Sequence, residues 1–387
     1  QTCALPILLT FADDGGAIGD PRWTPGGFIP TVYPVEAGED NINAAIDEAG
    51  DGDIIELVTS GGLYYETNSL YIEGKSLTIR AKEGLMQKPK IQNDDYGESN
   101  GVFKIKSGGN LTLRGVEFFN AKHLIRIDNS GADCVVKIDD CYGHTGKETL
   151  IKVYSGSWVD SLIVTNTILR DSEKEGVYLK EPNTFAYAKF ENSTFVHTGR
   201  EAIRVRDNDT AVMLINHCTF DSICYDKDYR AIYPEGVQNL EIKNSIITNQ
   251  LGNNEEVVKL YGTSSFHHNN VWNADSTKGE IQLEDTATAS DTLFVDPLYN
   301  NPATDDYRLA DASPCRGAAD DGMAMGDLRW EVSPSAYYLT VVVEGNGSVT
   351  LDPAGGVYDP GTSVTITAVP DENWNVSHWD PATFPPD

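Results

Sequence analysis

The sequence predicts an all-β chain: a right-handed, single-stranded parallel β-helix with three short strands per rung, followed by a small C-terminal β module. Three observations predict it. An apolar strand pattern returns at a nearly constant interval, a second strand pattern ending in an Asn-like residue returns in step with it, and each strand alternates with period two.

The first pattern is apolar, apolar, variable, apolar, variable. It reads Leu124-Ile125-Arg126-Ile127-Asp128, Leu150-Ile151-Lys152-Val153-Tyr154, Gly176-Val177-Tyr178-Leu179-Lys180, Ala202-Ile203-Arg204-Val205-Arg206, Ala231-Ile232-Tyr233-Pro234-Glu235 and Val257-Val258-Lys259-Leu260-Tyr261, at steps of 26, 26, 26, 29 and 26 residues. Weaker copies begin at Val102 and Glu280. A polypeptide that spends about one such interval per coil stacks each strand on its own copies.

The second pattern places Asp140, Asn166, Asn192, His217, Asn244 and His268 in one column, each followed by a small residue. Asn tolerates the left-handed backbone of a tight corner, and its amide can bond up and down the stack. The column therefore predicts an asparagine ladder with His as an imperfect stand-in. A stack of sandwiches would need hairpin turns every 8–12 residues and no column register, so it fits poorly.

The flanks divide the chain further. Residues 1–30 read as the remnant of a preceding module, because Ala12-Asp13-Asp14-Gly15-Gly16-Ala17-Ile18-Gly19-Asp20-Pro21-Arg22-Trp23 is repeated in altered form from Ala319 to Trp330. The shared Gly-Asp-x-Arg-Trp reads as structural, with Asp satisfying a turn and Arg stacking on Trp. Residues 31–292 form the β-helix, opened by a short amphipathic helix over Glu39 to Glu48 whose Ile42, Ala45 and Ile46 would cover the first rung. Residues 293–332 are the C-terminal cap, expected to wrap the last rung. Residues 337–387 change to alternating Val/Thr strands and Gly-rich turns and form a separate, truncated β module.

Composition narrows the partners. A formal charge of −30 argues against nucleic acid and anionic membrane, which the global field repels. There is no apolar run of 18 or more residues, so no membrane insertion is expected. Ala4 to Phe11 lacks a basic flank and does not read as a signal peptide. The six cysteines show no metal-ligand spacing; Cys141 and Cys218 fall three repeats apart, too far to bond, so buried free thiols are the expected state, with Cys218 and Cys224 as the alternative disulfide candidate. The acidic loops Asp207-Asn208-Asp209 and Asp226-Lys227-Asp228 have the composition of calcium ligands, although turn-forming Asp explains them more simply; no other cofactor is implied.

One face carries candidate chemistry. The residues flanking the inward aliphatics give two outward columns, Lys104, Arg126, Lys152, Tyr178, Arg204, Tyr233, Lys259, Gln282 and Lys106, Asp128, Tyr154, Lys180, Arg206, Glu235, Tyr261, Glu284. Stacked cations would form a locally positive groove for an anionic ligand, and interleaved tyrosines offer flat faces to sugar rings. The competing reading is a solvated β face on which Asp128, Glu173, Glu175 and Glu235 neutralise the cations.

Leu70 to Asn273 resembles the pectate-lyase-like β-helix superfamily of secreted bacterial proteins. "LYIEGKSLTIRAKEG" with "KPKI" is similar to the first rungs of chondroitinase-B and alginate-lyase-like helices and of related uncharacterised families. Tyr338 to Trp379 resembles the divergent surface repeat related to internalin B-repeats. The resemblance implies a secreted or cell-surface bacterial protein, a monomer within a longer multidomain chain, with an acidic polysaccharide or other glycan lying on the two columns. For β-elimination of a uronate, Arg204 and Arg206 would neutralise the carboxylate, Lys152 or Lys180 would take the C5 proton, and Tyr178 or Tyr154 would protonate the leaving O4. Arg126, Tyr154, Tyr233, Glu235, Lys259 and Tyr261 would bind substrate. The Asn-x-x-Glu and Lys-Ser block of chondroitinase-B-like lyases and the Asp pairs with Gly-His-Gly of polygalacturonases are absent, which keeps a non-catalytic adhesin or glycan-binding module as the alternative.

Overall fold

Strand pairing in the computed structural model is parallel throughout residues 32–290 and joins the strands into three long sheets of 11, 10 and 9 members. The structure describes residues 29–93, 101–131, 134–180, 185–206, 208, 210–273 and 277–331, together with 337–339, 341, 346–354, 357–358, 363–371 and 374–376. The repeated apolar element from Ile125 to Val258 supplies the third sheet, and its register matches the columns: Arg126 opposes Lys152, Lys152 opposes Tyr178, and Tyr178 opposes Arg204. Successive strands in the chain enter different sheets, so each return to the same sheet is a crossover between parallel strands. Such crossovers are right-handed almost without exception. The chain is thus a parallel β-helix of about nine rungs, begun at Val32, slightly earlier than the strongest repeats imply.

The corner between the first and second sheets explains the repeat. Asp140, Asn166, Asn192, His217, Asn244 and His268 all have positive φ, between 47° and 54°. Asn192 Nδ2 donates to Asn166 Oδ1 at 2.6 Å, and Asn166 Nδ2 donates to Asp139 Oδ1 at 2.8 Å. His217 cannot continue the amide chain, and there the ladder is interrupted. The small residues that follow form a second ladder: Thr167 N donates to Ser193 Oγ at 3.2 Å, and Cys218 N to Ser245 Oγ at 3.1 Å. Inside, like stacks on like, as in the parallel Phe195 and Phe220 rings with centroids 5.0 Å apart.

The amphipathic helix is α1, Asn41–Glu48, and it buries Ile42, Ala45 and Ile46. Both ends are clamped by charges that suit the helix dipole. At the N-terminus the buried Glu66 accepts from Ile42 N at 3.0 Å and Asn43 N at 3.2 Å. At the C-terminus Lys75 Nζ donates to Ile46 O at 2.6 Å and Ala49 O at 2.8 Å.

The segment after the last rung differs from expectation. Residues 319–329 do not wrap the final rung. They run back along the asparagine corner as a strap. Asp320 N donates to Asn244 Oδ1 at 2.9 Å, His217 Nε2 lies 2.9 Å from Asp321 Oδ2, and Leu328 N donates to Asn192 Oδ1 at 2.6 Å. Arg329 Nη1 then donates to Asn166 O at 2.6 Å. Buried Asp327 accepts from Thr194 Oγ1 at 2.6 Å and from the Arg329 guanidinium, so the Gly-Asp-x-Arg element is structural. Gly326 sits at φ +87°, where a Cβ would stand 2.9 Å from Thr219 Oγ1. The N-terminal copy of this element, residues 12–23, lies outside the described residues.

The five cysteines among the described residues are free and buried, which removes the Cys218–Cys224 pairing. Burial pushes the Cys141 thiol up to about 12. The chain divides into two compact units, the smaller made of residues 300–308 and 330–387. Its strands Gly347–Asp352 and Thr365–Pro370 pair antiparallel, as the change of pattern predicts.

The strap yields a first prediction. Asp327→Ala leaves Thr194 and Arg329 without their acceptor, and is expected to destabilise the chain by about 2–4 kcal/mol. A lower urea midpoint with new protease cleavage within residues 319–331 is the expected outcome. An unchanged midpoint would remove the strap from the stabilising interactions.

Candidate functional site

The third sheet presents its columns as expected, but its side chains are not freely solvated. Lys152 and Tyr178 are only 9% and 8% exposed, so the expectation of outward, accessible groups is corrected for both. Long side chains on neighbouring strands lie over one another and cover their own stems. The Arg126 guanidinium sits 3.8 Å from the Tyr154 ring centroid, with Lys152 Nζ 4.7 Å from the same ring. Lys152 and Arg204 then flank Tyr178, at 5.9 and 5.1 Å. Arg126 and Lys152 oppose each other in register, and the interposed Tyr154 ring converts like-charge contact into two cation–π contacts.

Carboxylates at the strand edges neutralise much of the expected positive groove. Asp128 takes Arg126 at 2.8 Å and Lys104 at 3.2 Å. Glu148 gathers Lys174 at 2.7 Å, Lys122 at 3.6 Å and Lys152 at 3.7 Å. Arg206 faces Glu235 at 3.7 Å, and Lys259 faces Glu284 at 2.8 Å. Lys180 makes no ion pair among the described residues. It lies close enough to Lys152 to disfavour that residue's charge. The main cause of the lowered Lys152 pKa is burial; Lys174 and Lys180 add to it, while Glu148 and Glu175 oppose it.

Four participants stand outside the outward columns, and of these only Glu175 is expected from the sequence, as a carboxylate that neutralises the cations. His123 is fully buried, and burial pushes its pKa down to about 4. Its Nδ1 lies 3.0 Å from Thr149 O, which can only accept, so Nδ1 carries the proton. Nε2 is then an acceptor, and Tyr154 Oη donates to it at 2.9 Å. The Tyr154 oxygen therefore offers lone pairs, not a proton, to a ligand.

Glu175, Arg200 and Glu201 are the others. Glu175 accepts from Thr149 Oγ1 at 2.8 Å and from Arg200 Nη1 at 3.1 Å. Glu201 is wholly buried, with Arg204 Nη1 3.4 Å away and neither carboxylate oxygen hydrogen-bonded. Burial pushes Glu201 up to about 7 against the pull of Arg204. The 29-residue step, the one departure from 26 among the six strong copies, is spent here. The extra loop brings Tyr229 to 5.9 Å from Arg200 and 5.7 Å from Arg204.

Toward the C-terminal rungs, Arg230 stacks on Tyr233 at 4.9 Å and Lys259 on Tyr261 at 5.5 Å. Burial, with Tyr233 alongside, pushes Tyr261 up to about 12. Of the acidic loops, Asp207 and Asp209 lie outside the described residues, and Asp228 accepts from Asn253 N at 2.8 Å, a turn role. Among the described residues no group of three or more His, Cys, Asp or Glu is arranged for a metal ion.

Comparison with known proteins adds the following. Residues 213–330 match the model of a domain of unknown function (DUF5123), and residues 337–383 match the divergent InlB B-repeat domain. The PL6 family alginate lyase AlyGC shares 18% identity at a TM-score of 0.48, covering 73% of this chain and 43% of that one. A point mutant of the same enzyme gives a TM-score of 0.49 at the same identity and coverage. The chain thus spans less than half the length of these solved structures. No curated protein matches.

The buried glutamates set a pH dependence. Glu201 and Glu66 each titrate near 7 in the folded chain against 4.5 for the free side chain. Between these values the folded state holds protons that the unfolded state has released, so stability falls as pH rises from 4.5 through 7. Glu201→Gln is expected to remove about 3 kcal/mol of this dependence, leaving the part that belongs to Glu66. Urea midpoints at pH 5 and pH 8 test it; equal slopes in variant and parent would show that Glu201 is not the titrating group.

Proposed function

We propose that the third sheet binds an acidic polysaccharide, with the sugar chain crossing the rungs from Arg126 to Tyr261. The observation that carries this reading is the unbroken alternation of cation and ring: Arg126, Tyr154, Lys152, Tyr178 and Arg204 in face-to-face contact. Such a surface offers ring edges and already ordered charges to a sugar chain, held rigid before the ligand arrives. Lys180 and the half-exposed Arg206 are the cations best placed to reach a ligand. Tyr154, its proton directed to His123, accepts from a sugar hydroxyl. Tyr233, Glu235, Lys259 and Tyr261 extend the same surface.

A secreted or cell-surface bacterial setting belongs to the proposal, as does a monomeric unit within a longer chain. The match of the C-terminal module to a B-repeat supports it. So does a charge of −30, unsuited to nucleic acid or anionic membrane.

Cleavage by β-elimination is the second reading, and the lowered pKa of Lys152 favours it. Arg204 and Arg206 would neutralise the uronate carboxylate, and Lys152 or Lys180 would take the C5 proton. Tyr178 would give its proton to O4 as the C4–O4 bond breaks and C4=C5 forms. Tyr154 is poorly disposed to donate, because His123 holds its proton.

Titration calorimetry of the full chain with pectate, alginate and a glycosaminoglycan tests binding. At least one acidic glycan is expected to bind, more weakly as salt rises, and Lys180→Ala with Arg206→Ala to weaken it about tenfold. Binding to none of them would overturn the proposal. Accumulation of an ultraviolet-absorbing unsaturated product, lost in Lys152→Ala and Lys180→Ala, would establish the second reading; tight binding without product would exclude it.

A further inference from the structure

A cluster of cations lies on a different part of the coil. The strap occupies the asparagine corner from Asn244 as far as Asn166. One rung further toward the N-terminus, a cavity of about 260 Å³ opens at the continuation of that corner, lined by Arg80, Lys82, Lys88, Arg114, Glu83 and Asp140 among others. Four cations around one small cavity is unexpected in a chain of formal charge −30.

Their placement costs stability. Arg80 and Arg114 are direct partners on adjacent strands of the first sheet, the like-charge arrangement that a sheet disfavours. Each has a carboxylate partner. Arg80 uses Nε and Nη2 on Glu56 Oε1, at 3.2 and 3.0 Å. Arg114 Nε stands 3.6 Å from Asp139. Lys88 is fixed across the cavity mouth by Asp140, donating to its carbonyl at 2.5 Å with the carboxylate 2.8 Å away. Lys82 is exposed and makes no ion pair among the described residues. The floor is kept open by Gly115 at φ +70°, where a side chain would meet Ala81 at 3.2 Å.

We propose that this cavity is a binding site for one acidic sugar unit, its carboxylate or sulfate held between the Arg80 and Arg114 guanidinium groups and Lys82. Guanidinium pairs suit planar and tetrahedral oxyanions, and a cavity of this size takes a single ring better than a chain. The site is separate from the third sheet and does not depend on what that sheet binds.

The test uses the full chain with galacturonate, galactose 6-sulfate and galactose, followed by calorimetry. Saturable binding of either charged sugar, with galactose silent, is expected, and the pair distinguishes carboxylate from sulfate as the anion. Arg114→Gln with Lys82→Gln is expected to weaken binding at least tenfold, while Lys227→Gln, at an exposed cation elsewhere on the coil, leaves it unchanged. Lys82→Gln alone, at an exposed position, should still weaken it several-fold if the double variant misfolds. No saturable binding, equal binding of galactose, or loss in Lys227→Gln but not in Arg114→Gln would overturn the proposal.

Discussion

Everything in this coil depends on one residue per rung adopting a left-handed backbone at the corner between the first two sheets. Asp140, Asn166, Asn192, His217, Asn244 and His268 share a narrow range of φ, so each rung turns at the same point. A turn displaced by one residue would send every inward side chain to the surface. The constancy of the corner is therefore what keeps Phe195 on Phe220 inside and Tyr178 against Arg204 outside. The same corner gives the strap its docking line, because the side chains of Asn192 and Asn244 accept from strap amides while Asn166 offers its carbonyl.

The coil was legible in the sequence because its regularities are columnar. A constant step, an apolar pair and an Asn-like residue are one-dimensional signals, and they located the third-sheet columns residue by residue. Groups whose role comes from the neighbouring rung leave no such signal. Glu66 caps a helix 24 residues upstream, and His123 meets Tyr154 one rung later. Glu201 reads locally as a polar residue at a turn, and Glu175 only as a carboxylate on a solvated face. Only the folded stack reveals that they are buried beside Arg200 and Arg204. One sequence signal did point there: the lone 29-residue step, which marks the added loop carrying Tyr229.

The charge pattern on the third sheet is also a property of the stack. Counting cations along the columns suggests a positive groove, but side chains reach sideways to carboxylates at the strand edges. Glu148 alone draws three lysines. What remains is a surface of paired charges and clamped rings, rigid more than electropositive. Rigidity favours recognition, since side chains already ordered lose little entropy when a ligand arrives. It works against general-base chemistry by Lys152, whose ammonium is enclosed between two tyrosine rings and a glutamate.

Buried Glu201 is the clearest departure from what stability alone would select. A carboxylate without a hydrogen bond in a closed site costs several kcal/mol, and replacing such a group with an apolar one is often neutral or stabilising. Two rungs in succession nonetheless carry a glutamate here, each facing an arginine, beside the loop that lengthens the step to 29 residues. When Glu201 is ionised, the Glu175, Glu201, Arg200 and Arg204 charges cancel; when it takes a proton, one positive charge is left over beside Tyr178. The burial that makes Glu201 expensive thereby ties the net charge of the cluster to pH.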